Sequence, residues 1–187
     1  MRIIAGSLKG RRLKTPRWEG LRPTSDKLRE TLFNVLAPRL AGARVLDLYA
    51  GTGALGLEAI SRGAAFTCFV EQDRRAQALI LENARLCGVE ERCAIIRANV
   101  ARGLRELRDG RILSPFDPFD IILLDPPYGV DPAVALDGVD TVLAADGLVV
   151  LERAKRTPAP EAAGRLIKQR DLASGDSALS LYRVPLD

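Results

Sequence analysis

The sequence predicts an α/β fold, a parallel sheet with helices on both faces. Three observations predict it. From residue 44 to residue 151, short β-prone runs alternate with segments of helical periodicity. One of those runs, Phe119-Asp120-Ile121-Ile122-Leu123-Leu124, is apolar enough to be buried on both faces. The first run passes into a helix through a glycine-rich turn, the connection that parallel sheets use to bind ligands. The 187 residues suffice for one domain with a small appendage, and 47% hydrophobic with 28% charged residues reads as a folded chain, not a disordered one.

In order, residues 2–5 and 11–15 are β-prone and joined through Gly6 and Gly10, which predicts a hairpin. Pro16, Gly20 and Pro23 then interrupt the chain. A helix starts after Thr24 or Ser25, either able to cap it, with Leu28, Leu32, Val35 and Leu36 at helical spacing and Pro38 and Gly42 in its end region. Residues 44–49 form the first strand of the body. Residues 54–62 form a short helix stopped by Gly63, and 66–70 the second strand. Residues 73–87 are helical, with Ala76, Leu79, Ile80, Ala84 and Cys87 on one face and Gly88 as the stop. A third strand at 93–97, a helix at 100–108, the buried strand at 119–124, a helix at 132–144 and a strand at 147–151 follow. The tail adds β-prone runs at 165–169 and 178–184, separated by Gly175. In such sheets ligands sit beyond the C-terminal strand ends, which points to the residues just after 48, 70, 97 and 124.

Composition narrows the chemistry. There is no histidine, so imidazole bases, Ser-His-Asp and Cys-His catalysis and histidine metal ligands are excluded. Cys68, Cys87 and Cys93 are odd in number and contain no C-x-x-C pair, which reads as reduced core thiols and not as a disulfide framework or a zinc ribbon. No segment approaches the roughly 20 apolar residues of a membrane span, and the N-terminus lacks the apolar run of a signal peptide, so a cytoplasmic location is expected. Charge is uneven: residues 1–44 hold 11 Lys/Arg against 3 Asp/Glu, whereas the rest of the chain is mildly acidic. A basic end suggests docking to a polyanion, through Arg2, Lys9, Arg11, Arg12, Lys14 and Arg22.

The glycine turn reads Asp47-Leu48-Tyr49-Ala50-Gly51-Thr52-Gly53-Ala54-Leu55-Gly56. Gly51, Gly53 and Gly56 satisfy G-x-G-x-x-G, and Glu71 lies 20 residues beyond Gly51 at the end of the second strand. That is nucleotide-binding geometry, with backbone approaching the ligand and a carboxylate able to accept both ribose hydroxyls. A pyrophosphate prefers bare backbone N–H groups, and Asp47 just before the turn would repel it. A carboxylate there suits an ammonium and a sulfonium, which favours S-adenosylmethionine over a nicotinamide dinucleotide. Asn99, after the third strand, can hydrogen-bond the adenine or cap the following helix.

The buried fourth strand ends in Asp125-Pro126-Pro127-Tyr128. Two prolines fix φ and delete two N–H donors, so the Asp125 and Pro126 carbonyls and the Asp125 carboxylate form a set of acceptors, with Tyr128 as an aromatic plate. This suits an exocyclic amine on a stacked base, held so that its lone pair points at a methyl donor. No histidine is required.

Several stretches together resemble the 16S rRNA guanine(966)-N2-methyltransferases: Met1-Arg2-Ile3-Ile4-Ala5-Gly6 with Lys9-Gly10-Arg11-Arg12-Leu13, residues 22–34, the turn at 47–56 running on to Ser61-Arg62-Gly63-Ala64, and residues 125–128. The resemblance covers nearly the whole chain and departs in the tail at Ala173-Ser174-Gly175-Asp176-Ser177. It implies a Rossmann-like, seven-stranded methyltransferase core over 24–187 and a basic N-terminal β-hairpin extension over 1–23 that grips RNA. It implies methyl transfer from S-adenosylmethionine to a guanine N2 in small-subunit 16S rRNA or an assembly intermediate, by a monomer without metal. Asp47, Ala50, Gly51, Gly53, Glu71, Asn99 and Asp125 would hold the cofactor, and Asp125, Pro126, Pro127 and Tyr128 the base. The residues themselves leave open an adenine-N6 methyltransferase, a nicotinamide-dependent oxidoreductase and a non-catalytic RNA-binding module.

Overall fold

The computed structural model describes residues 1–16, 26–110, 118–127 and 129–185. Trp18, Arg22, the Thr24 or Ser25 cap and Tyr128 therefore lie outside the described residues. Five helices and eight strands are present among the described residues: α1 (Asp26–Leu40), β1 (Arg44–Leu48), α2 (Ala54–Ser61), β2 (Phe66–Glu71), α3 (Arg74–Cys87), β3 (Cys93–Arg97), α4 (Val100–Arg108), β4 (Phe119–Leu124), α5 (Pro132–Leu136), β5 (Leu143–Ala154), β6 (Ala162–Ala163), β7 (Leu166–Ser174) and β8 (Ser177–Arg183).

The strands form a single sheet in the order β3-β2-β1-β4-β5-β8-β7-β6. The pairs from β3 to β5 are parallel, and those involving β6, β7 and β8 are antiparallel. The sheet is thus mixed, and the expected parallel sheet describes only its first five strands. It also has one strand more than the seven expected, the two-residue β6. Helices cover both faces. Leu46, Leu48, Ile122, Leu124, Val149 and Leu151 pack with Leu104 and Leu107 of α4 and Ala135 and Leu136 of α5. The alternate residues Val45, Ile121, Leu123, Leu148 and Val150 pack with α1 and with Leu55 and Ala59 of α2. Strands buried on both sides require such unbroken apolar runs.

The face that α1 buries is Leu28, Leu32, Phe33, Leu36 and Leu40; Val35 is only half-buried. Helix α3 follows its signals closely: the Asp73 carboxylate accepts from the Arg75 N–H, and Gly88 ends the helix at φ +68°. The expected helix at 132–144 is instead three elements. Helix α5 stops at Leu136, Gly138 turns at φ +71°, Val139–Val142 form a 3-10 turn, and Leu143 already pairs with Phe119 as the start of a twelve-residue β5. A left-handed glycine and the pull of strand pairing override the helical periodicity.

Residues 1–14 double back on themselves, but not as the expected two-stranded hairpin. Arg2 and Arg12 form one antiparallel bridge, and the Ile3, Gly10 and Leu13 N–H groups donate to the Arg11, Ile3 and Met1 carbonyls. A longer ladder is diverted by α2. The N–H groups of Ile4 and Ala5 go to the buried Glu58 carboxylate at 2.7 and 3.0 Å, and that of Leu8 to the Ser61 hydroxyl at 3.0 Å. Gly6 permits this approach, since a Cβ there would stand 1.9 Å from the Ser61 carbonyl oxygen. Ile3 and Leu13 are buried against Leu57, Ile60, Ile80 and Ala84 of α2 and α3. Among the described residues, no helix is long and apolar enough to cross a membrane.

Candidate active site

The parallel register sets three strand ends level. Leu48 of β1 pairs with Val70 of β2 and with Leu124 of β4, so Asp47, Glu71 and Asp125 converge at the C-terminal edge of adjacent strands. They line a cavity of about 900 Å³, with Tyr49, Ala50, Gly51 and Thr52 of the glycine turn, Ala98 beyond β3, and Pro126 and Pro127 beyond β4. The cavity sits where the sheet topology places ligands.

Asp47 is 1% exposed, and its carboxylate accepts from the Gly56 N–H at 2.9 Å. Burial pushes its pKa well above the ordinary carboxylate range; the Gly56 hydrogen bond opposes this, and the charges of Asp125 and Glu71 add to it. Glu71 accepts from the Gly51 N–H with one oxygen and from the Asp73 N–H with the other, both at 2.8 Å. It thereby fixes the glycine turn against the end of β2. An ionised carboxylate has about four lone-pair sites, which leaves acceptor capacity for hydroxyls. A cavity wall rich in carboxylates favours a cationic, hydroxyl-bearing ligand and disfavours a pyrophosphate. The residues present therefore fit S-adenosylmethionine, which carries two positive centres and a ribose diol and no phosphate.

The glycines divide their work. Gly51, at φ +55°, lines the cavity. Gly53, at φ +75°, caps α2 and is not a wall residue; a Cβ there would press on Ile80 at 3.2 Å. A Cβ on Gly56 would stand 2.3 Å from the Phe69 ring, so this glycine lets α2 lie on β2. Asn99 caps α4, accepting from the Arg102 N–H at 2.9 Å, and is likewise not a wall residue. The second of its two expected roles is the one the geometry displays.

At the end of β4, Asp125 and Pro126 are half-buried and Pro127 is exposed. The Pro127 carbonyl accepts from the Val130 N–H at 3.2 Å, which closes the loop behind them.

The cavity has walls that motif spacing does not reveal. Tyr49 lies between β1 and the first glycine at φ +62°, a left-handed conformation unusual for a large side chain, and burial raises its pKa. Met1, Thr15, Pro16 and Lys27 bring the N-terminal region to the same cavity. Arg153 of β5 lines it from the opposite side, held by Asp171 at 3.0 Å, the Ser180 hydroxyl at 2.8 Å and the Thr157 carbonyl at 2.7 Å. Tyr49 carries a signal in the sequence, a bulky residue inside the glycine turn; the others come together only through the tertiary fold.

The basic segment is less uniform than its sequence. Lys9 and Arg12 are exposed. Arg11 donates to the Leu86 carbonyl at 3.2 Å, Arg2 lies 4.0 Å from Asp26, and Lys14 is ion-paired with Glu82. Cys68 and Cys93 have thiols pushed up to about 12 by burial, and Cys87 is raised for the same reason, so none is an activated nucleophile.

A family model described as "Conserved hypothetical protein 95" matches residues 1–183. The chain is 34% identical over 186 residues to the ribosomal RNA small subunit methyltransferase D of Escherichia coli K12, covering 98% of this chain and 89% of that protein. The methyltransferase D of Haemophilus influenzae is 35% identical over 162 residues, covering 84% and 81%. Among solved structures, a hypothetical protein of Thermus thermophilus superposes with a TM-score of 0.81 at 31% identity, over 98% of this chain and 99% of that one.

Proposed function

The chain belongs to the conserved hypothetical protein 95 family, whose members are class I S-adenosylmethionine-dependent methyltransferases, and from that premise we propose that it methylates the exocyclic N2 amine of a guanine in 16S rRNA, of the guanine-966 kind. The observation that carries the reading is one cavity holding both halves of the chemistry: the Asp47, Gly51 and Glu71 end and the Asp125-Pro126-Pro127 end. The names of the relatives, which are ribosomal RNA methyltransferases of the small subunit, support the substrate.

S-adenosylmethionine, when bound, supplies an electrophilic methyl group on sulfur. Glu71 would accept the ribose hydroxyls, and Asp47 would face the ammonium. Asp125 and the Asp125 and Pro126 carbonyls accept the N–H groups of the guanine amine, because the prolines offer no competing donor. An aromatic amine is a weak nucleophile, and the gain comes from holding its nitrogen in line with the methyl group. The Asp125 carboxylate would take the proton that the amine loses. Tyr128 would stack on the base. The basic groups of residues 1–23, Arg2, Lys9, Arg11, Arg12, Lys14 and Arg22, would make the RNA-contacting extension, and residues 24–187 would make the catalytic domain. The substrate is the small subunit or its assembly intermediate, in the cytoplasm, and the enzyme acts as a monomer.

The test is to incubate the protein with S-adenosylmethionine and small subunits lacking this modification, digest the rRNA and identify the methylated nucleoside by mass spectrometry. N2-methylguanosine is expected, and Asp125→Ala should abolish it while leaving RNA binding intact. N6-methyladenosine would overturn the guanine assignment and keep the cofactor.

A further inference from the structure

Asn83 of α3 is fully buried and joins two parts of the molecule that the sequence keeps apart. Its Oδ1 accepts from the Lys14 N–H at 2.8 Å. Its Nδ2 donates to the Lys14 carbonyl at 3.1 Å and to the Thr52 carbonyl at 3.1 Å. One side-chain amide thus holds both backbone groups of a residue in the basic N-terminal segment and one carbonyl of the glycine turn. Beyond each anchor the chain enters the cavity: Thr15 and Pro16 follow Lys14, Gly51 precedes Thr52, and Thr15, Pro16, Gly51 and Thr52 line it. Only an amide offers an acceptor and two donors in this arrangement. Aspartate lacks the donors, and an aliphatic side chain would give up all three bonds, two part-buried ones to Lys14 and the buried one to the Thr52 carbonyl.

We infer that Asn83 is a positioning residue that couples RNA docking to cofactor binding, an inference that rests on the function proposed above. The N-terminal segment is both the proposed RNA surface, through Lys9 and Arg12, and part of the cavity wall, through Thr15 and Pro16. RNA on its outer side holds the segment against α3, and Asn83 transmits that placement to Thr52. A cofactor in the cavity favours the same placement from the inner side. Two ligands that favour one arrangement bind with positive coupling, and linkage makes the effect reciprocal.

The test is equilibrium dialysis of labelled S-adenosylhomocysteine with the whole protein, alone and with saturating small subunits lacking the modification. In the wild type the affinity should rise at least about fivefold when subunits are present, the lower end of ordinary allosteric coupling. In Asn83→Ala, with folding checked by far-ultraviolet circular dichroism and melting, the ratio should fall to near one. Asn83→Asp, which keeps only the acceptor for the Lys14 N–H, should lose the coupling as well. A purely structural role would weaken each affinity and leave the ratio unchanged, and that result would overturn the inference. A ratio of one in the wild type would overturn it whether or not the variants fold. Failure of the wild type to bind S-adenosylhomocysteine would instead overturn the proposed function, and this inference with it.

Discussion

Asp47 shows how a buried carboxylate acts against stability. The carboxylate is buried beside two others, and burial together with their charges favours its neutral form. An acid whose pKa is higher in the folded than in the unfolded state is most compatible with folding below its unfolded value of about 3.9, and the advantage is lost as pH rises toward the folded value. At pH well above the unfolded value, Asp47 therefore costs stability. Asp47→Asn keeps an acceptor for the Gly56 N–H and removes the charge. It should raise the melting temperature at pH 7.5, where about 1 kcal/mol corresponds to roughly 2–4 °C in a chain of this size. The gain should shrink as pH is lowered toward the ordinary carboxylate value, while affinity for S-adenosylhomocysteine falls. Calorimetric melts across pH and a binding titration check both parts; an unchanged affinity would remove Asp47 from the cofactor site. The sequence discloses this residue because a carboxylate beside a glycine turn is legible as charge. It conceals Arg153, whose place in the wall depends on Asp171 and Ser180 arriving from β7 and β8.

At the scale of elements, the N-terminal segment is held by polar side chains of α2 as much as by its own backbone. Glu58, fully buried, accepts from Ile4, Ala5 and the Arg62 guanidinium, and Arg62 is stacked 5.0 Å from the Phe33 ring. Removing Glu58 strands a shielded cation and two backbone donors. Glu58→Ala should cost about 3–5 kcal/mol in urea unfolding, the range for breaking a buried pair from one side. It should also expose residues 1–13 to limited proteolysis before the remainder of the chain. Cleavage elsewhere first would show that burial of Ile3 and Leu13 and the bonds to Ser61 and Asn83 hold the segment without Glu58. The sequence marks Gly6 and Gly10 as turns but gives no sign that α2 supplies hydrogen-bond partners for the intervening N–H groups. A periodic helix pattern reports only its apolar face, and Glu58 lies among residues that read as helix and nothing more. The same blindness to long-range partners makes 132–144 read as one helix, where pairing of Leu143 with Phe119 ends it early.

At the scale of the whole molecule, what is legible and what is not follow one division. The five parallel strands, their helices and the strand ends that carry Asp47, Glu71 and Asp125 can be read because doubly buried strands and amphipathic helices impose their patterns directly on sequence. The antiparallel β7–β8 ribbon is visible as two β-prone runs, but its place beside β5, and so the far wall of the cavity, depends on pairing that no local pattern encodes. Charge is legible in the same partial way. The basic excess of residues 1–44 is plain in the sequence, yet the structure separates exposed Lys9 and Arg12 from Lys14, which is paired with Glu82. Phosphate contacts contribute to the salt dependence of RNA binding, with a slope of log affinity against log salt of about 0.7 to 0.9 per phosphate neutralised. A lysine already neutralised by a carboxylate has less to give. Lys9→Glu and Arg12→Glu should each weaken binding to small subunits and flatten the slope by roughly one such unit, measured by filter binding from low to moderate salt. Lys14→Ala should change the slope by clearly less. If all three variants flatten it equally, the Glu82 pair opens on docking, and the polyanion contacts a surface broader than the one the free protein presents.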